Sequence, residues 1–191
     1  MAVIPIYNCF HPVLKQKTKT IENIDDNINT LVQNMFDTLY NISNGVGLAG
    51  NQVGEDKSLF IIDLSIGSDS PKKEPFTFIN PEIVSFSDEE EEESEGCLSI
   101  PDYFEKVKRS KSIQVKYYDL KEKEHIQEMD GFLARVFQHE YDHLNGILIF
   151  ERVSQIRRTL AKSKLNRLKR GKVVPNYPMV QPDGLLTGLK K

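Results

Sequence analysis

Residues 138–143 read Gln-His-Glu-Tyr-Asp-His, which places two histidines four positions apart with a glutamate between them. On a helix, side chains four apart lie one above the other, so His139 and His143 can hold a single metal ion. Glu140 is offset around that helix, close enough to handle protons of a water at the metal without ligating it. The competing reading is a solvent-facing helix with two incidental histidines. A site of this kind needs at least one more protein ligand, and the rest of the chain decides whether one exists.

Three arrangements of such a site differ in where the remaining ligand lies. The metzincin pattern wants a third histidine six positions after the second. Here Gly146 is in place, but Ile149 stands where that histidine should be. A thermolysin-like site takes a glutamate well downstream. Beyond His143 the acidic residues are Glu151, which is too close, and Asp183, in the C-terminal tail, and no histidine follows. Upstream stands Cys97, whose thiolate is a strong ligand for Zn2+ or Fe2+. Cys97 with His139 and His143 leaves a fourth position open for water, which suits a catalytic rather than a structural site.

The elements that must position these residues are legible as patterns. A helix is expected over 24–43, with Ile28, Leu31, Met35, Leu39 and Ile42 at threes and fours and Asp25 or Asp26 as its cap. It runs into residues 45–54, where four glycines sit among Val46, Leu48, Ala49 and Val53. That is too apolar for a free loop, and it reads as tightly wound backbone beside a ligand. Strands are expected over 58–66, over 76–86 with a turn at Asn80-Pro81, over 112–118 and over 125–129, and a polar loop holds Pro71, Lys72 and Lys73. The acidic run 88–94 reads as a solvated loop, with Glu95 set apart because it abuts the cysteine motif. Asp130 caps a helix over 131–144 that carries the two histidines and places Phe132, Arg135 and Val136 toward the metal side. Residues 147–150 read as a last strand, and 154–169 as a helix with a narrow stripe of Ile156, Leu160, Leu165 and Leu168 on an otherwise basic surface. His11 and Cys9 read as structural, and His125 as exposed and uninvolved.

The 191 residues are enough for one domain with a substantial core, expected over 1–171, with 172–191 as a flexible tail rich in proline and glycine. A 39% apolar and 28% charged composition is that of a water-soluble globular chain, and two cysteines are too few for a disulfide framework. The net charge of −3 hides a basic C-terminal helix, so it neither requires nor excludes a nucleic-acid partner. Without a basic and then apolar leader, and without any run near the roughly 18–20 apolar residues of a membrane span, the expected location is the cytoplasm.

Three stretches taken together resemble peptide deformylase. Residues 45–52, Gly-Val-Gly-Leu-Ala-Gly-Asn-Gln, are similar to the family's first motif. Residues 95–99, Glu-Gly-Cys-Leu-Ser, are similar to its second and 138–143 to its third, in the family's order and separation, with the resemblance running from about Phe10 to Phe150. It implies removal of formate from the N-formylmethionine of new polypeptides in a bacterial cytoplasm. It also implies an α+β fold of largely antiparallel sheets wrapped around a central metal-bearing helix, between an N-terminal helix and the C-terminal basic one.

Carried over by residue, Cys97, His139 and His143 hold the metal, Glu140 is the general acid/base, and Gln52 with the backbone N–H of Leu98 forms the oxyanion hole. Val46, Gly47 and Gly96 border the formyl-methionyl group, and Phe132 and Val136 join Val46 in a pocket for the methionine side chain. Arg109 and Asp142 take a supporting ion pair. The metal expected from the resemblance is Fe2+, with Zn2+, Ni2+ or Co2+ as substitutes. One departure is Gly50, where the family usually has alanine, and a slightly looser loop is expected there. Set against this reading are a peptidase cutting internal bonds, which lacks its downstream ligand, and an RNA- or ribosome-binding module with a structural metal. A deformylase must meet chains leaving the ribosome, so the basic helix is expected to help it dock there.

Overall fold

The computed structural model describes residues 2–42, 45–66 and 75–188. Strand β1 is Ile6–Tyr7, and helix α1, Asp26–Asn41, follows with Asp25 as its cap, the carboxylate accepting from the Ile28 N–H at 3.0 Å. Of the expected inward face, Ile28, Met35 and Leu39 are buried, as is Ile42 just past the helix end, whereas Leu31 is half-buried and Val32 takes its place in the core. Strands β2 (Gly47–Ala49), β3 (Leu59–Ile62), β4 (Phe76–Phe86), β7 (Ser112–Tyr118) and β8 (Glu124–Asp130) form one antiparallel sheet in the order β2-β3-β4-β7-β8. The turn expected at Asn80-Pro81 is a shift of register inside β4, with Asn80 at φ 48° and its side chain bridging both backbone groups of Ile21. The loop carrying Pro71, Lys72 and Lys73 lies outside the described residues.

Helix α2, Gly131–Leu144, lays Ala134, Val136, Phe137 and Leu144 on this sheet. Phe137 meets Phe60 and Phe78 edge-on at 4.9 and 5.0 Å, a geometry that aromatic quadrupoles favour. Asp130 precedes the helix without a side-chain capping bond, because it ends β8 opposite Ser112. A second core joins α1, β2 and β3. A third gathers Cys9, Leu14, Ile100, Val107 and Leu148 with Leu165 and Leu168 of helix α3, Gln155–Lys169. Among the described residues this is a mixed α+β fold of three α-helices and largely antiparallel sheets, and no helix is long and apolar enough to cross a membrane.

Other expectations need correcting. The acidic run is not a loop: Glu90–Cys97 is strand β5, paired antiparallel with β6, Ile100–Ser110. Glutamate is a poor strand former, but here Glu90 pairs with Lys108 of β6, Glu92 with Arg157 of α3 at 3.1 Å and Glu93 with Arg135 of α2 at 3.0 Å. Opposite charge across the pair offsets the repulsion along it. Residues 147–150 are not a strand; the chain closes into a 3-10 turn at Ile149–Glu151, fixed by the Leu148 N–H donating to Glu151 at 2.9 Å. His125 is engaged, 2.8 Å from Asp119 and stacked on Tyr117. Of the stripe on α3, Leu165 and Leu168 are buried whereas Ile156 and Leu160 are 74% and 79% exposed.

Residues 172–188, expected as part of a flexible tail, are packed. Strand β9, Met179–Val180, pairs parallel with β1 and antiparallel with β10, Leu186–Thr187, and Met179 is fully buried. Proline and glycine there mark turns, not freedom. Met179→Ala should therefore cost about 2–5 kcal/mol in urea denaturation, as for any buried methionine. Leu160→Ala should stay within about 0.5 kcal/mol.

Candidate functional site

Helical spacing stacks His139 and His143 on one face of α2, their ring centroids 5.1 Å apart. Cys97 arrives from the end of β5, where the chain turns through Leu98 and Ser99 into β6, and its Sγ lies 3.2 Å from Nε2 of His143. The thiol sulfur and one ring nitrogen from each histidine all lie within 4.8 Å of one another, the candidate metal site found among the described residues. One soft sulfur and two imidazoles make a donor set that fits Zn2+ or Fe2+.

The carboxylate that organises this corner is Glu95. Nδ1 of His139 lies 3.1 Å from Glu95 Oε2, which leaves Nε2 of that ring for a ligand. Arg109 donates to both Glu95 oxygens, at 2.6 and 2.9 Å, and Arg135 donates to Oε1 at 2.8 Å. Arg109 reaches on to Asp142 Oδ2 at 2.8 Å, and Arg152 closes the far side of Asp142 from Nε at 2.9 Å. Burial alone would raise the Glu95 carboxyl, but His139 and Arg109 hold it down at about 2. In the chain without metal, burial opposes charge on His139, while Cys97 and Glu95 pull its pKa well up; burial and the neighbouring His139 charge push His143 down.

Glu140 sits beside this set, buried, with Oε2 lacking a hydrogen-bond partner. Burial lifts its carboxyl to about 7 against the pull of His139 and Arg109. Opposite it runs β2, and a Cβ on Gly47 would come 2.5 Å from Glu140 Oε1, so glycine is what lets the two approach. Gln52, in the 3-10 turn Gly50–Val53, is fixed at both ends of its amide. Its Oε1 accepts from Ala49 N–H at 2.8 Å, and its Nε2 donates to Ser99 Oγ at 3.2 Å and points at Cys97 Sγ at 3.7 Å. Gly50 does not loosen this turn: a Cβ there would stand 2.7 Å from the Lys57 carbonyl, so the backbones are packed too close for the usual alanine.

Gly47, Gln52, Glu95, Cys97, Arg135, His139 and Glu140 border one cavity of about 550 Å³. Residues 3–159 match the model of the polypeptide deformylase family. The chain is 40% identical over 168 residues to the peptide deformylase of Brucella suis, covering 88% of this chain and 94% of that one. It is 39% identical to that of Christiangramia forsetii, covering 95% and 97%. Among solved structures it is similar to the peptide deformylase of Thermotoga maritima (TM-score 0.74, 40% identity, 81% and 99% covered) and to that of Legionella pneumophila (0.80, 37%, 90% and 98%). The chain belongs to the polypeptide deformylase family.

Of the residues expected to hold metal, do chemistry or touch substrate, all but His143 line that cavity, and His143 lies behind Cys97; Arg109 and Asp142, expected as a supporting ion pair, do pair but stand outside it. Val46, Gly47, Gln52, Gly96, Leu98 and Val136 line its walls, and Phe132, 55% exposed, stands at its rim. Arg135 borders the cavity, yet its guanidinium is taken up by Glu95 and the carbonyls of Val107 and Glu91. Two more residues of the quoted motifs belong to the site: the Asn51 amide donates to the His143 carbonyl and ties the glycine-rich stretch to α2, and Ser99 anchors Gln52, contacts that motif spacing alone does not reveal. Tyr177 and its neighbours, which line the cavity from the C-terminal segment, carried no motif at all.

Glu95→Ala would leave Arg109 and Arg135 buried without their shared carboxylate. It should cost about 3–5 kcal/mol in chemical denaturation, as expected for breaking a buried ion pair from one side. An exposed control, Glu89→Ala, should change stability by less than about 1 kcal/mol.

Proposed function

We propose that this chain hydrolyses the formyl group, as formate, from the N-terminal N-formylmethionine of newly made polypeptides. Family membership supports the reaction class. The observation that carries the proposal is the meeting of Cys97, His139 and His143 within 4.8 Å beside buried Glu140. In this reading the antiparallel sheets serve to hold a metal-bearing α2 among them, and Cys97, His139 and His143 are the ligands. Fe2+ is the expected ion, with Zn2+, Ni2+ or Co2+ able to take its place. When bound, the metal supplies Lewis acidity that makes hydroxide available near neutral pH.

The chain's own groups do the rest. The water oxygen attacks the formyl carbon, and its proton passes to Oε2 of Glu140. The negative charge developing on the formyl oxygen meets two fixed donors, the Gln52 amide and the Leu98 N–H; losing one donor of this kind typically costs about 2.7–4 kcal/mol. As the carbon–nitrogen bond breaks, Glu140 returns the proton to the departing α-amine, which frees formate. Gly47 and Gly96 let extended substrate backbone lie close, while Val46, Phe132 and Val136 receive the methionine side chain.

The partner side follows from α3, whose exposed surface carries Lys162, Arg167 and Lys169 with exposed Ile156 and Leu160. Such a face suits contact with ribosomal RNA in a bacterial cytoplasm, with affinity that falls steeply as salt rises.

Glu140→Ala should lower formate release from a formyl-Met peptide by about 10²–10⁴-fold. Bound metal should be unchanged, because Glu140 is not a ligand. A variant that still turns over at the wild-type rate would refute the assignment. Chelation should abolish release, and Fe2+ added without oxygen should restore it.

A further inference from the structure

The turn that carries the Leu98 N–H is held from an unexpected direction. Cys97 pairs with Ile100, so Leu98 and Ser99 are the two residues that turn β5 into β6. Peptides in so short a turn lie outside the ladder and need other partners. Ser99 has two: its carbonyl accepts from the Cys9 N–H at 2.9 Å, and its hydroxyl accepts from Gln52 at 3.2 Å. The Leu98 carbonyl accepts from the Tyr177 hydroxyl at 2.7 Å, across 79 residues of chain.

Tyr177 is built to hold that bond. Its ring is buried in the core shared by α1, β2 and β3, and it stands two residues before β9. The backbone around it is tied to β1, the Ile6 N–H donating to Pro178 O at 2.9 Å and the Asn8 N–H to Val180 O at 2.9 Å. Buried Gln181 locks the segment further, accepting from the Asn8 side chain at 3.1 Å and donating to Thr187 at 2.7 Å. The ring, with Val174, Pro175 and Asn176, also borders the catalytic cavity. All of these residues lie beyond 159, where the family match ends.

We infer that Tyr177 is a positioning residue for the oxyanion hole, and that the segment 173–188 is the strap that delivers it. The inference rests on the deformylase reading of the site. Both ends of the turn are fixed by the pairing of Cys97 with Ile100, so rotation of the Leu98–Ser99 peptide must be absorbed by the planes beside it. One of those planes carries the Leu98 N–H. Holding the carbonyl therefore aims the N–H, and an oxyanion donor acts only when it is aimed before charge develops. Phenylalanine would fill the same space. The hydroxyl is what reaches the turn.

Tyr177→Phe in the full-length enzyme tests this against a merely structural tyrosine. The expected result is kcat for formate release lowered about tenfold with KM for a formyl-Met peptide little changed, since the donor is misaimed rather than deleted. The 15N–1H signal of Leu98 in the Zn2+-loaded protein should shift or broaden. The melting temperature should fall by only about 2–4 °C, as for one lost hydrogen bond in a chain of this size. An unchanged kcat overturns the inference, and so does a Leu98 signal that stays where it was. If the wild type itself releases no formate, the deformylase reading falls. The Leu98 signal then still decides whether the hydroxyl fixes this turn.

Discussion

The shared carboxylate of Glu95 is the constraint on which the rest depends. It joins β5 to β6 through Arg109, to α2 through Arg135, and to the His139 ring directly. Through Arg109 and Asp142 the same network reaches the other end of α2 and the 3-10 turn beyond it. Buried ionic networks add little net stability over apolar packing, but a misplaced register leaves charges unpaired at a cost of several kcal/mol. The network therefore selects one arrangement of strand pair and helix. That arrangement brings the sulfur of Cys97 up to the two imidazoles.

A site assembled this way draws on three stretches far apart in sequence, each held by a different force. Helical periodicity stacks the histidines, and the aromatic cluster of Phe60, Phe78 and Phe137 fixes the angle of α2 on its sheet. Backbone proximity sets the glycine-rich wall, since Gly47 lets β2 approach Glu140. Hydrogen bonds set the turn at Leu98–Ser99, with Gln52, Cys9 and Tyr177 each holding a different atom of it. Cys97 with the two histidines, Glu140, and Gln52 with the Leu98–Ser99 turn thus stand on separately anchored supports around the cavity.

Much of this was legible in the residues, for identifiable reasons. Helix α2 followed from Asp130 ahead of it and the helical spacing of the two histidines within it, and elimination of downstream ligands pointed to Cys97. What was not legible involved partners distant in sequence. A run of glutamates reads as solvated until the basic strand opposite it is known, and β6 supplies that strand with Lys108 and Arg109. Proline and glycine after Gly171 read as a loose tail, because a parallel pairing with two residues at the opposite end of the chain has no local signature. The stripe on α3 misled for the opposite reason: the spacing of Ile156 and Leu160 is helical, but no element packs over them among the described residues. Tyr177 lies in no motif, and its contact with Leu98 exists only once the strap has folded back.

The central claim is that the fold makes one metal centre from Cys97, His139 and His143. X-ray absorption on protein purified without oxygen tests it directly. For zinc loading the expected first shell has one sulfur at about 2.3 Å and two imidazole nitrogens at about 2.0–2.1 Å. The sulfur should disappear in Cys97→Ala. A shell of nitrogen and oxygen alone in the wild-type protein would contradict it.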